Sequence, residues 1–572
     1  MYTSQSFWKG VSDRRVARRR AMGAAAMASG AAAIAIACSS AKQRETGAGV
    51  APDLKNKDAA TVGEQVKAGG AGKYVTSGEP PDLDPRLTLS FGLHSWLGSV
   101  MNRVVRTVQG AEAKDALDFT LKPDLAASWE QPADLQSVTF KLRQGATWHN
   151  KPPVNGREVT SEDFRYTFES YAKSGAHTSA FELLDRVETP DKYTAKFVLK
   201  QPWSGLIEVL TVPTQWVFAK EIVDRDGDLK KTAVGTGPFI QDAFERGVGF
   251  KGAKNPAYFE KGLPYLDSIE LLSVPDAATR KNGFRAGQFD VYDGLVPTEI
   301  DEVQKSNPTI QIEEVPAERS VFGVAMNQTK APFSDVRVRR ALSMAIDRRA
   351  QVKAIFQDHA IVGWGIPYFY FQDAAPTDDQ LGPWYKYNVA EAKKLMEAAG
   401  FKDGFKDTIT YYEYNAAMTS QVQLAQAQLK ANLNVDLTIK PVDYTTWFQW
   451  YTSHKYEGAA WGFQIGSSST IDDFTYQNIH SKSVANYWYV DDLQIDQLAE
   501  KIRVEPDNAK KRVLIKQQFE REQDIAARLW MPYSNRLAVK QPYMRNYRFM
   551  ALRGGGAADY GGNARVQHWH AK

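Results

Sequence analysis

The chain is 572 residues long, 43% hydrophobic and 24% charged. A chain of this length can bury a large core and form two or more lobes, and its single cysteine excludes an internal disulfide. The formal charge is +4, but residues 1–20 alone carry +5 and leave about −1 on the remainder, so charge gives no support to a nucleic-acid partner.

Residues 1–20 are basic, residues 21–37 are apolar but mostly Ala and Gly, and the small residues Ala35 and Ala37 precede Cys38. This is the three-part layout of an export signal. Seventeen weakly apolar residues fall short of the roughly 20 strongly apolar ones that span a bilayer, which argues against a permanent transmembrane helix. Ala35-Ile36-Ala37-Cys38 resembles a bacterial lipobox, in which the thiol is lipidated and becomes the new N-terminus; it departs from the usual pattern in having Ala35 where Leu is favoured. An isolated cysteine often behaves as a small buried hydrophobe, but polar sequence follows Cys38 at once, so an anchor is expected. Arg14-Arg15 and Arg18-Arg19-Arg20 look like a twin-arginine export signal. General secretion stays open, because no strongly apolar residue follows the pair at the expected place.

Residues 39–72 contain no aromatic residue and few large aliphatic ones, too little apolar surface to offset the entropy of ordering. They read as a flexible tether with a reach of about 30 Å. The folded region is expected from about Lys73, where Tyr74 and Val75 open a strand. In SVTFKLRQG, residues 137–145, Val138, Phe140 and Leu142 alternate with polar residues, the period of a half-buried strand. A helix should follow: Thr160 and Asp163 form a capping-box-like start, and Phe164, Phe168 and Tyr171 share one face. In SDVRVRRALSMAIDRRAQV, Ser334 is the expected cap, Val338, Leu342, Ala345 and Ile346 the buried stripe, and the arginines the wet face. A further helix should begin at Asn388, with Glu391 at its third position, and stop at Gly400. Helices and strands interleave without an internal repeat, which excludes a solenoid.

Motifs for catalysis are sparse. GVGFKG, residues 247–252, fits G-x-G-x-x-G, yet Pro256 and Pro264 follow and no helical period does, so a β-hairpin turn is expected instead of a dinucleotide site. His568 and His570 would share one face of a strand, but the sequence around them offers no carboxylate or cysteine to complete a metal site. No metal or cofactor is expected. No G-x-S-x-G, H-E-x-x-H or Walker-type sequence occurs.

Five segments, in order, resemble the family 5 extracellular solute-binding proteins, the dipeptide-, oligopeptide- and nickel-binding components of ABC importers. They are LKPDLAASWEQPADLQSVTFKLRQGATWHN (121–150), VTSEDFRYTFE (159–169), GTGPFIQDAFERGVGFKGAKNPAYFEKGLPYLD (235–267), MNQTKAPFSDVRVRRALSMAIDR (326–348) and NVAEAKKLMEAAGF. The resemblance implies an α/β, two-lobe periplasmic-binding-protein-like fold with a hinge: large, type II, with an inserted subdomain in the first lobe. The implied boundaries are an export signal to residue 38, a tether over 39–72, a first lobe over 73–325 plus 535–572 with its insertion at about 116–235, and a second lobe over 326–534.

The implied activity is binding, not catalysis: a monomeric, membrane-anchored lipoprotein outside the cytoplasmic membrane or in the periplasm captures a peptide or similar solute between its lobes and hands it to an ABC permease. A secreted anchored hydrolase and a surface chaperone-like module are the alternatives. In peptide-binding members an aspartate in a W-x-x-D setting pairs with the peptide amino terminus; here WGFQIGSSSTIDDF places Gln464 at that position after Trp461. A neutral amide forgoes a charge-assisted bond typically worth about 1.5–3 kcal/mol, which leaves the ligand class open among peptides, sugars, metal complexes and other solutes. Asp472 and Asp473 either substitute for the missing charge or cap a helix. Trp461 is the first expected pocket wall, with a core position as its alternative. Tyr411 and Tyr412 should point to opposite faces of a strand, so that one of them reaches the cleft. Phe91 and His94 are expected as wall residues, and Asn327 as a ligand or hinge contact at a lobe crossing.

Overall fold

The computed structural model describes residues 65–551 and 568–571, apart from 81, 90, 174, 317–321, 414–415, 454–455, 457 and 464–469. Cys38 and Gln464 therefore lie outside the described residues. No described helix is long and apolar enough to cross a membrane.

The first strand, Ala71–Thr76, begins slightly before the expected start at Lys73. It pairs in parallel with Ser268–Ser273, placing Tyr74 opposite Leu271. Gly249–Lys254 and Phe239–Glu245 extend this sheet antiparallel. The G-x-G-x-x-G segment forms the hairpin between those last two strands. Gly247 and Gly249 have φ of +75° and +145°, and a Cβ on Gly249 would stand 2.1 Å from the Leu271 carbonyl oxygen. Its glycines serve a tight turn and a close strand approach, not a phosphate.

Between the members of that parallel pair the chain builds a second unit. Its sheet runs Ala126–Glu130, Ser137–Leu142, Thr194–Leu199, Leu184–Asp191, and its hydrophobic cluster draws on residues from Val104 to Val234. Val138, Phe140 and Leu142 are buried as their alternation predicts. The helix Ser161–Lys173 lays Phe164, Phe168 and Tyr171 against them, with Phe168 and Phe140 both edge-on or tilted against Phe197 at 5.2 Å. At its start Asp163 reaches back to the Thr160 amide at 2.8 Å.

A five-stranded sheet occupies the later part of the chain, in the order Asp436–Val442, Lys406–Tyr412, Ala459–Phe463, Phe322–Met326, Leu529–Trp530. Phe322–Met326 is an internal strand of this sheet, although the sequence places it at the end of the first lobe. Arg536–Lys540 then returns to lie between Val291–Leu295 and Gln311–Val315.

Two local expectations change here. The run from Ser334 forms two helices, Val336–Met344 and Arg348–Phe356, and Asp335 and Asp347 cap them. Ser334 is not the cap, because its own amide closes the preceding turn onto Lys330, one residue too early. Nor do all the arginines face water. Arg339 donates to the carbonyls of Phe333, Ile525 and Ala526, and Arg348 to those of Ser343 and Trp530. Each guanidinium collects backbone acceptors left over at helix and strand ends, which pays for its burial. The helix Val389–Ala398 matches its expected punctuation: Asn388 accepts from the Glu391 amide at 3.1 Å, and Gly400 takes φ +84°.

His94, His149 and His177 are fully enclosed. His94 takes a hydrogen bond from the Trp216 indole at Nδ1 and contacts the Thr88 carbonyl through Nε2, both at 3.0 Å. His149 Nε2 meets the Gly237 carbonyl at 3.0 Å, and His177 Nε2 meets that of Pro85 at 2.7 Å. Burial pushes His94 down to about 3 and His149 and His177 down to about 4, from a usual value of 6.5. Because these values are depressed in the folded state, their contribution to stability is complete above about pH 6.5 and is lost as pH falls toward 4. Each group adds about 1.4 kcal/mol per pH unit to that slope while only the unfolded chain is protonated. Urea midpoints should therefore fall steeply from pH 6 to pH 4.5, and His94→Gln should flatten the slope by about one proton; a midpoint constant over this range would contradict the assignment.

Candidate functional site

Arg503 ends the helix Leu493–Val504, where a cation faces the negative pole of the helix. Its Nε and Nη2 fork onto the Asp472 carboxylate at 2.6 and 2.8 Å. Nη2 also donates to Glu182 Oε1 at 2.7 Å, and the guanidinium lies 3.3 Å from the centre of the Tyr476 ring. Burial alone would weaken the charge; the two carboxylates reverse that and raise the Arg503 pKa.

Glu182 belongs to the 104–234 unit, while Asp472, Tyr476 and Arg503 belong to the later helices. The contact is therefore a seam between distant parts of the chain. Further hydrogen bonds run along it. Gln477 Nε2 donates to Glu182 at 2.8 Å, the Ser204 amide and hydroxyl both donate to the Arg503 carbonyl, Lys511 Nζ donates to Ser204 Oγ, and Glu208 accepts the Ile471 amide.

A cavity of about 600 Å³ adjoins this seam. Asp115, Asp118 and Phe119 line one side, and Phe369, Lys511 and Arg512 are among the residues opposite. The Phe119 and Phe369 rings approach to 5.4 Å across it. Asp118 accepts from the Lys114 and Thr120 amides and the Thr120 hydroxyl. Partial burial pushes its pKa up, but these donors outweigh it and hold the carboxyl below its ordinary range. An apolar bridge with fixed charges of both signs suits a small polar solute.

The residues singled out in the sequence separate into groups. Trp461 sits in an internal strand opposite Val324 and is wholly buried. Its carbonyl accepts from the Trp447 indole at 3.0 Å, while its own indole N–H has no hydrogen-bond partner among the described residues, although a buried donor normally finds an acceptor. Tyr411 and Tyr412 are both covered, 5% and 6% exposed, so neither stands open as an alternating strand at a cleft edge would leave it. Tyr412 packs at 4.7 Å against Trp447, which stacks on Tyr451 at the same distance.

His94 lies in the core with both ring nitrogens engaged, as described above, so it presents no polar atom to a cleft. Phe91 opens the helix Phe91–Val100. Asn327 is buried; its Nδ2 donates to the Tyr456 carbonyl and its Oδ1 accepts from Thr329, which makes it a loop clamp. Asp473 accepts the Thr470 amide at 3.1 Å, as a helix-start residue does. The charge of Asp472 is already matched by Arg503. Arg503 and Glu182 escaped the sequence reading because nothing local to either marks a partner some 320 residues away.

The sequence profile of the bacterial extracellular solute-binding proteins, family 5 Middle, matches residues 120–486. The chain belongs to this family. Family 5 proteins serve as the solute-binding components of ABC importers. The chain is 27% identical over 330 residues to the glutathione-binding protein GsiB of Salmonella typhimurium, and 28% identical over 325 residues to GsiB of Escherichia coli K12. These alignments take in 57% and 55% of this chain and span 62% and 61% of the relatives' lengths.

Solved structures of the same fold include HbpA2 from Haemophilus parasuis, with TM-score 0.73 and 21% identity over 88% of this chain and all of that one. DppA from Helicobacter pylori in complex with the peptide STSA gives TM-score 0.71 and 20% identity over 88% and 99%. AgaA from A. tumefacien R10 in complex with agropinic acid gives 0.69 and 22%, again over 88% and 99%. This family 5 chain thus has the two-lobe α/β fold of type II periplasmic binding proteins.

Glu182→Gln keeps the size of the side chain and leaves Arg503 on Asp472, so the fold should survive. Glu182 is 38% exposed at its side chain, and solvent reduces the loss to about 1 kcal/mol, a roughly fivefold shift away from the closed arrangement. Calorimetry should show solute affinity about fivefold weaker in the variant than in the parent, with the far-ultraviolet dichroism unchanged; an unchanged affinity would remove the seam from any part in closure.

Proposed function

We propose that this chain is the exported, lipid-anchored binding subunit of an ABC importer, and that it captures a short peptide or glutathione-like solute between its lobes for delivery to the permease. The observation that carries this reading is the seam at Arg503, which joins the 182–208 segment to residues 471–511 in a chain of this family. The relatives named above are binding proteins, which favours capture over catalysis. Their ligands include glutathione, the peptide STSA and agropinic acid. On this reading the first lobe comprises about 73–325 and 535–572, with its insertion near 116–235, and the second about 326–534, the strand Phe322–Met326 going with the second. Cys38 carries the anchor, and the twin-arginine pair directs export.

Capture needs no bond to be made or broken. Groups on both lobes meet the solute together only when the lobes close, so the solute selects the closed form. Moving the closed population from 1% to 99% requires about 5.5 kcal/mol of preference, which a few hydrogen bonds and the burial of an apolar side chain supply. Trp461 contributes its indole N–H, Phe91 contributes wall, and Gln464 accepts or donates without fixing a charge. With no carboxylate at that position, a free amino terminus is held less tightly than in members that carry one.

Calorimetry with di-, tri- and tetrapeptides and with glutathione should give saturable binding and recover every solute unaltered. Trp461→Phe, which keeps an aromatic ring but removes the pyrrole ring with its N–H, should weaken the best of these by about five- to tenfold. Absence of binding to the whole set, or conversion of any member into a product, would overturn the assignment. Membrane fractionation tests the anchor separately: Cys38→Ser should release the protein into the soluble fraction.

A further inference from the structure

The sequence left His568 and His570 without a third ligand. The fold supplies one. Asp290 precedes the strand Val291–Leu295, and one ligand atom from each of Asp290, His568 and His570 lies within 4.8 Å of the others. The strand Trp569–His570 pairs antiparallel with Met544–Arg545, setting His570 opposite Met544. His570 Nε2 stands 3.2 Å from Asp290 Oδ2, and the two imidazole rings are 4.8 Å apart. All three side chains are removed from water: His568 is fully buried, Asp290 nearly so, and the His570 side chain is 13% exposed.

We propose that Asp290, His568 and His570 bind one divalent cation of the zinc type, which clasps the C-terminal strand onto the sheets that hold Tyr74 and Val291. Two imidazoles and one carboxylate are a donor set that zinc accepts, with a water completing four-coordination. A tetrahedral ion about 2.0–2.1 Å from each ligand spaces the ligand atoms at about 3.3 Å. The His570–Asp290 distance already meets that figure, and the ligand atom of His568 lies within 4.8 Å of the other two.

The surroundings hold each ligand as a metal site requires. The Tyr543 hydroxyl donates to Asp290 Oδ1 and the Lys73 amide to Oδ2, both at 2.7 Å. Tyr74 Oη contacts His568 Nδ1 at 2.5 Å, so the metal-binding nitrogen of His568 would be Nε2. The backbone is fixed as well: the Asp290 amide donates to the Lys73 carbonyl and the Gln541 amide to the Asp290 carbonyl. Three separate stretches of chain thus converge on Asp290. One carboxylate charge against a dication leaves the cluster at +1.

The test uses the full chain stripped with EDTA and dialysed. Added Co²⁺ should give, at one equivalent, the visible absorption of a four-coordinate site, and one equivalent of Zn²⁺ should abolish it. Zinc should also raise the unfolding temperature. His570→Gln, at the partly exposed ligand, should weaken Zn²⁺ binding at least tenfold while keeping the far-ultraviolet dichroism and the solute response of the parent. Asp290→Asn should do the same if it folds, and if it does not, the His570 variant decides. The proposal fails if the parent takes up no stoichiometric Zn²⁺ or Co²⁺ at micromolar concentrations, or if His570→Gln binds as tightly as the parent.

Discussion

A guanidinium that has left water must find acceptors, and Arg503 finds two carboxylates, from parts of the chain that approach each other only in the assembled molecule. Asp472 holds it in a two-point fork within its own region, and Glu182 meets it from the other side. The fork fixes the direction of the remaining N–H bond, so the position of Glu182 is specified by geometry as well as by charge. The surrounding bonds from Ser204, Gln477 and Lys511 are individually modest. Together they align two surfaces that, on the proposed function, separate and meet again each time a guest passes. A partly wet ion pair suits that work better than an apolar seam, because separated charges are well solvated and the open form is not penalised heavily.

The architecture serves the same end by keeping each half rigid while the chain passes between them. The parallel pairing of Ala71–Thr76 with Ser268–Ser273 closes the first body around an insertion of its own. The return of Arg536–Lys540 between two earlier strands ties the last part of the chain back to the beginning. Such pairings reward the chain only after long loops have closed. They also leave the two bodies joined by several strands of backbone, which permits rotation about a hinge but restrains sliding. The enclosed aromatic stack of Tyr412, Trp447 and Tyr451 backs the strand that carries Trp461, so a binding donor there would be held by packing and would need little ordering when a guest arrives.

Elements whose signal is local were legible in the sequence. The alternation of Val138, Phe140 and Leu142 encodes a strand because a pleated chain presents every second residue to one face. Asn388 and Gly400 mark a helix because orphan amides at its start need an acceptor and its end needs a left-handed residue. The GVGFKG segment was separated from a nucleotide loop by the prolines that follow it. Errors arose where a residue type has two destinations. Arginine normally faces water, yet Arg339 and Arg348 turn inward to collect carbonyls that only the packed elements expose. A tyrosine pair on a strand reads as one inside and one outside until an internal position covers both.

From the order of its residues alone, this chain settled its family, its mixed α/β character, and the caps and periods of its stronger helices and strands. These depend on interactions within a few residues or on motifs preserved as contiguous text. Tertiary structure alone decided which charges meet. Arg503 and Glu182, or Asp290 and the two C-terminal histidines, are ordinary surface-type residues in sequence, and they become a seam and a ligand set because folding brings remote segments within about 3–5 Å, where electrostatics act strongly. Proximity of that kind is a property of the packed whole, since no local pattern encodes the path by which a chain returns to itself.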